Sequence, residues 1–208
     1  MVASSRAQRI LFVVLVALLT AIAVVLLIGP ASSSTTPIAG SRFDGPTLPA
    51  GLRAANFSLT DQSGRRVTLA RYRGHVVVLT FIHSLCKDTC PFMVEQIKGA
   101  LNDLPNAGRG VPAIGVSVEP AQDTDHNRKA FLSRHELTGR LAFVSGPMSV
   151  MHRVWHDYAI APVTPNVDHS TFVLLIDKRG FERIGFAADQ LTPEDLAHDI
   201  RALERERA

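Results

Sequence analysis

The chain reads as an α/β domain, a mixed sheet with helices on both faces, preceded by one apolar N-terminal helix. Three observations predict this. Val76-Val77-Val78-Leu79-Thr80-Phe81-Ile82 is an unbroken apolar run rich in β-branched residues, the pattern of a strand buried on both faces. The only two cysteines, Cys86 and Cys90, follow it, and Pro91 then opens a helical pattern in which Phe92, Met93, Ile97, Leu101 and Leu104 recur at steps of three and four. A second apolar strand, Ala113 to Val118, lies beyond that helix, so strand, helix and strand form a right-handed βαβ unit.

Taken in order, the chain begins with Ile10 to Ile28, which carries no charge and only Thr20 as a polar residue. A helix of that length covers about 28 Å, enough for a hydrocarbon core. Arg6 and Arg9 precede it, and no Lys or Arg returns until Arg42. That asymmetry places the N-terminus in the cytoplasm and the bulk of the chain outside it. A cleaved signal peptide is the competing reading, but its apolar core usually runs ~7–15 residues before small residues at the cut. This run is longer, and Ala21-Ile22-Ala23 lies in its middle. The expectation is therefore a cytoplasmic stretch (1–9), a transmembrane anchor (10–28), a flexible linker (29–50) and a folded domain (51–208). Pro, Ser, Thr and Gly dominate the linker, a composition that cannot bury a core.

Within the domain, Asn56 to Thr60 and Arg65 to Leu69 read as a hairpin around the turn Asp61-Gln62-Ser63-Gly64. The buried strand, the cysteine helix (Pro91 to about Leu104) and the strand Ala113 to Val118 follow. Asn127 to Leu137 is a helix capped from Asp123-Thr124-Asp125, and Leu141 to Val144 a short strand. Val150, Met151, Val154, Trp155 and Tyr158 make one face of the next helix. A Pro- and Asn-bearing loop leads to Asp168-His169-Ser170, then come strands Thr171 to Ile176 and Phe181 to Phe186 about the turn Asp177-Lys178-Arg179-Gly180. A helix capped by Thr192 runs to about Glu206. Hairpin, βαβ unit, further helices, terminal hairpin and helix is the order of a thioredoxin-like fold.

The net charge of +3 is no nucleic-acid signal. Two of the 22 basic residues, Arg6 and Arg9, precede the apolar run and all 19 acidic residues follow it, which leaves the rest close to neutral. No basic stripe with interleaved aromatics occurs, so nucleic-acid partners are excluded.

The chemistry concentrates where the buried strand ends. Cys86 and Cys90 span a loop and a first helical turn, so both sulfurs can point to one spot. Free N–H groups at a helix N-terminus favour the thiolate, which is both nucleophile and metal ligand. A plain structural disulfide is possible in an exported domain, but it closes a short loop and adds little stability. A redox dithiol of this fold usually has two residues between its cysteines. Here Lys87-Asp88-Thr89 intervene, a spacing that suits two sulfurs flanking an ion. Soft thiolates select a soft ion such as Cu(I), and a histidine would also suit Cu(II). His169 is the candidate third ligand, or else a loop histidine satisfied by a backbone hydrogen bond. Asp168 either orients it from behind or caps the turn. Asp88 tunes the cysteines' charge or accepts a backbone N–H. His152 and His156, four apart on a helix, lack an evident third ligand, and His83 either faces the cysteines or simply ends the strand. His75, His126, His135 and His198 read as solvated.

With these residues in hand, the chain resembles the Sco/SenC family of copper-binding, thioredoxin-like assembly factors. The resemblance rests on Cys86-Lys87-Asp88-Thr89-Cys90-Pro91, on Ser117-Val118-Glu119-Pro120 with Asp123-Thr124, and on Val167-Asp168-His169-Ser170-Thr171. It implies copper held by Cys86, Cys90 and His169. It also implies a part in building the binuclear copper site of cytochrome c oxidase, by metal delivery, by thiol reduction of the acceptor, or both. The implied partners are the copper-accepting oxidase subunit and a thiol reductant protein. The implied setting is a bacterial inner membrane, crossed once, with the domain in the periplasm. Three positions depart from the family pattern: Lys87 replaces a proline, His83 an aromatic residue, and Leu85 precedes Cys86. The alternative is a membrane-tethered thiol–disulfide reductase, in which Cys86 attacks, Cys90 resolves and His169 is dispensable.

Overall fold

The computed structural model describes residues 12, 14–16, 18, 42–161 and 172–207. It divides into two units, Met1–Ser41 and Arg42–Ala208. In the first, residues 12, 14–16 and 18 are helical. Among the described residues no helix is long and apolar enough to cross a membrane. The remainder of the 10–28 run lies outside them.

The second unit is built on a five-stranded mixed sheet. Its strands are β3 (Val77–Ile82), β4 (Ala113–Ser117), β5 (Leu141–Val144), β6 (Phe172–Ile176) and β7 (Glu182–Ala187), in the order β5-β4-β3-β6-β7. β3, β4 and β5 run parallel, with Val78 opposite Ala113 and Ala113 opposite Leu141. β6 lies antiparallel to β3, and β7 antiparallel to β6. The hairpin β1 (Ser58–Thr60) and β2 (Arg66–Thr68) forms a separate two-stranded sheet. It meets the main sheet through a bridge between Thr60 and Ser145.

β3 sits at the centre and every residue of it is buried. Its side chains alternate between two cores. Val78 and Ile82 face α1 (Thr89–Asp103), α2 (Asp125–Arg134) and α4 (Pro193–Glu204), through Met93, Ile97, Phe131, Leu196 and Ile200. Val77, Leu79 and Phe81 face α3 (Met148–Asp157) and the hairpin, through Met151, Trp155, Leu59 and Val67. Burial on both faces is why this strand reads as a continuous apolar run rather than an alternating one.

Helix ends follow local chemistry. Thr192 caps α4 by accepting from Asp195 N at 3.2 Å, and Thr124 caps α2 by accepting from Asn127 N at 3.2 Å. α2 stops at Arg134, short of the expected Leu137, because Glu136 turns to φ 57°, outside the helical region. Composition assigns residues 29–50 to a tether, yet the chain from Arg42 onward is fastened to the domain. The buried carboxylate of Asp199 accepts Asp44 N at 2.8 Å and Gly45 N at 2.9 Å, and Thr47 bridges Ile184. The partner that fastens this segment is remote in sequence and invisible to composition.

Candidate metal centre

β3 carries the chain to one end of the sheet, and the cysteine loop turns there into α1. Cys86 N donates to His83 O at 3.2 Å, which closes the turn. Cys90 falls in the first turn of α1, fully buried, while Cys86 is half-buried in the loop before it. No disulfide joins them. The backbone N–H of Cys90 points at Cys86 Sγ over 3.4 Å. A helix-terminal donor on that sulfur favours negative charge there. The neighbouring Cys86 sulfur, and then burial, push the Cys90 thiol far above the usual range, so with no metal bound Cys90 keeps its proton. One sulfur is thus half-buried with a backbone N–H aimed at it, the other fully buried with its thiol pKa raised.

A buried aspartate holds the loop. Asp123, beyond the end of β4, accepts Ser84 N at 2.7 Å and Ser117 Oγ at 2.5 Å. His83 Nδ1 lies 3.4 Å from the same carboxylate, within ion-pair reach but long for a hydrogen bond. The Asp123 carboxylate raises the His83 pKa above the ordinary histidine value, against the opposing effect of burial. Trp155 Nε1 donates to Ser117 O at 2.9 Å, which ties α3 to the same corner.

The sequence-derived candidates distribute as follows. Cys86 and Cys90 come together. Asp88 is the N-cap residue of α1, but its side chain makes no capping hydrogen bond. It is exposed on the lip of a cleft shared with Thr89, Phe92 and Asp189. Asp168 and His169 lie outside the described residues. His83 faces Asp123. His152 stacks edge-on against Trp155, and His156 pairs with Asp157 at 3.4 Å on the exposed face of α3. Two histidines read as solvated are engaged: His135 is buried with Nδ1 2.8 Å from Glu95, and His198 Nδ1 lies 2.9 Å from Asp44 and 3.0 Å from Asp199.

Asp44, His198 and Asp199 are the only group of three ligand-type side chains that converge among the described residues. The two backbone N–H groups on Asp199 already account for that carboxylate, so the cluster reads as a clasp for the Arg42–Gly45 segment. No third ligand atom converges on the two sulfurs among the described residues. The clamp role of Asp123 escaped sequence reasoning, which placed that residue among helix caps. Its signal was the spacing to Ser117, visible only through the family resemblance. Leu85 and Phe92, which flank the cysteines in sequence, are exposed to 48% and 46% and give the site an apolar rim.

A model of the SCO1/SenC family matches residues 47–205, most of the chain. This chain belongs to the SCO1/SenC family. Among curated SCO1/SenC relatives, the protein sco1 of Schizosaccharomyces pombe is 26% identical over 155 residues, covering 69% of this chain and 58% of that one. The chain spans 44% to 64% of the length of the first curated relatives it matches. Among solved structures, ScoI of Bradyrhizobium japonicum, determined with copper bound, is 28% identical with a TM-score of 0.62. The match covers 73% of this chain and 99% of that one. BsSco, a member of the Sco family of cytochrome c oxidase assembly proteins in which a disulfide switch was identified, matches with a TM-score of 0.65. At 21% identity, over 78% of this chain and 99% of that one, it shows the shared fold. The fold is therefore the thioredoxin-like α/β fold of SCO1/SenC proteins, with a mixed sheet and helices on both faces.

Proposed function

We propose that this chain is a membrane-anchored copper chaperone. It binds one copper ion through Cys86, Cys90 and His169, and delivers it to, or prepares, the binuclear copper site of cytochrome c oxidase. The observation that carries the reading is the cysteine pair brought together at the end of β3, unequal in burial, in a chain whose relative from Bradyrhizobium japonicum was solved with copper bound. Two sulfurs supply soft donors for Cu(I), and a histidine completes a trigonal set that also tolerates Cu(II). With no third donor converging among the described residues, His169 is the ligand the family motif supplies, with Asp168 to orient it.

The anchor, residues 10–28, keeps the domain at the outer face of a bacterial inner membrane, where the oxidase acceptor is reached. Leu85 and Phe92 offer that acceptor an apolar contact around the half-exposed Cys86. In an oxidising compartment the pair oxidises to a disulfide that cannot bind copper, so a thiol reductant protein completes the cycle.

The test is a Cu(I) titration of the reduced protein against a competing chelator, run in parallel on His169→Ala. One ion per chain, with affinity lost in the variant, is expected. Weak binding unchanged by His169→Ala overturns the chaperone reading. One observation favours the alternative of a thiol–disulfide reductase: Cys86 is accessible and Cys90 buried, the arrangement of an attacking and a resolving thiol. That reading requires turnover on a disulfide substrate that survives His169→Ala.

A further inference from the structure

A cleft of about 330 Å³ opens at the end of the sheet away from the cysteines. It lies where β4 and β5 begin, at Ala113 and Leu141, whereas the cysteine loop leaves the far end of the parallel strand β3. Three arginines line it, and they come from three separate segments: Arg65 from the β1–β2 turn, Arg109 from the loop before β4, and Arg140 from the loop before β5. No helix periodicity forces them together.

Among the described residues the lining contains no Asp or Glu. Arg65 is partly neutralised from outside by Asp61, whose Oδ2 accepts its Nε at 2.9 Å. Arg140 donates to the neutral Asn102 Oδ1 at 2.8 Å, which helps to orient the guanidinium. Arg109 has no carboxylate within ion-pair distance among the described residues. The neutral polar groups of the lining are donors as well. Gln62 uses its Oε1 to accept Phe143 N at 3.0 Å, so the end it has left to offer is the NH₂. Tyr72 adds a phenolic hydroxyl. A concave wall of like charges focuses a positive potential. Planar guanidinium forks match tetrahedral oxyanions bidentately.

We propose that this cleft is an anion-binding site for a phosphate group, contacted by Arg65, Arg109 and Arg140. A free phosphate and the phosphodiester headgroup of an anionic lipid share that chemistry. The site is independent of the cysteines, so its occupancy leaves their metal binding intact.

The test uses the full chain in neutral detergent at low salt, by isothermal titration with inorganic phosphate and, separately, with glycerophosphoglycerol, the deacylated headgroup of phosphatidylglycerol. Saturable binding at one site per chain is expected for at least one of them. Arg109→Gln and Arg140→Gln are each expected to weaken it by about tenfold or more. Arg109 is exposed and its side chain has no hydrogen bond or ion pair among the described residues, so that variant tests the site even where Arg140→Gln perturbs Asn102. Arg153→Gln makes the same charge change on α3, outside the cleft, and should leave binding unchanged. Tighter binding of phosphate identifies a soluble source, and tighter binding of glycerophosphoglycerol a lipid one. Failure of both to saturate overturns the proposal, as does loss that is equal in Arg109→Gln and Arg153→Gln.

Discussion

Replacing Asp123 by alanine tests whether the cysteine loop is held as the structure describes. The carboxylate accepts two donors, Ser84 N at 2.7 Å and Ser117 Oγ at 2.5 Å, from residues that are 2% and 0% exposed. Each buried donor stranded by the truncation costs about 1–3 kcal/mol. The Ser117 hydroxyl can rotate, so its share falls at the low end, and the variant loses about 3 kcal/mol in all. That is a large part of a typical domain stability of about 5–15 kcal/mol. Asp123→Asn retains an acceptor for Ser84 N and should cost less. Part of the loss depends on pH through His83. Asp123 raises the folded-state pKa of His83, so the pair's contribution is fully present below the unfolded value of 6.5. It disappears as pH rises through the folded value. The penalty of Asp123→Ala should therefore be larger at about pH 5.5 than at about pH 9. Urea unfolding followed by the emission of Trp155, the only tryptophan, reads both effects, since its Nε1 bonds Ser117 O at the same corner. Stability within about 1 kcal/mol of wild type at both pH values would refute the clamp.

Two further outcomes follow from buried groups elsewhere. Burial holds the Glu182 carboxyl above the usual glutamate value of 4.5, so the native state keeps the proton more tightly than the unfolded chain. Its contribution to stability is present below that value and is lost as pH rises through the folded pKa. Glu182→Gln should be more stable than wild type at neutral pH and gain nothing at about pH 4, measured by thermal unfolding. Gly45 lies against the Phe186 ring, and a Cβ there would also come within 2.7 Å of Ile184 Cγ2. Both neighbours are buried in the core, so Gly45→Ala should cost about 1–3 kcal/mol in denaturant unfolding.

Where a segment's pattern is local, the sequence was enough to read it. β3 announced itself because both faces are buried, and the turn residues around Asp177–Gly180 marked the final hairpin. Thr192 and Thr124 cap their helices through hydroxyls three residues from the N–H they accept, a relation short enough to see in a line of letters. The Arg42–Gly45 segment defeated the same reasoning, because its anchor, Asp199, stands far away on α4. His135 was misread for that reason too: the carboxylate that engages it, Glu95, stands on α1, whereas His198 stays partly exposed beside Asp44 and its neighbour Asp199.

The metal centre divides along the same line. Spacing brought out Cys86 and Cys90, since their convergence needs only a strand end and one helical turn. What keeps Cys86 in place is not local. Ser84 N hangs on Asp123, Asp123 on Ser117 at the end of β4, and Ser117 O on Trp155 of α3. The loop, the sheet end and α3 thus form one hydrogen-bonded chain. Moving Cys86 away from Cys90 while the fold persists means breaking the Ser84–Asp123 bond or shifting β4 and α3 with it. His83 stands at the head of that chain, against the carboxylate that carries it. Protonation of His83 strengthens its attraction to the Asp123 carboxylate and adds positive charge three residues from Cys86. A ring without a titratable nitrogen at position 83 could not make that charge-dependent contact with Asp123.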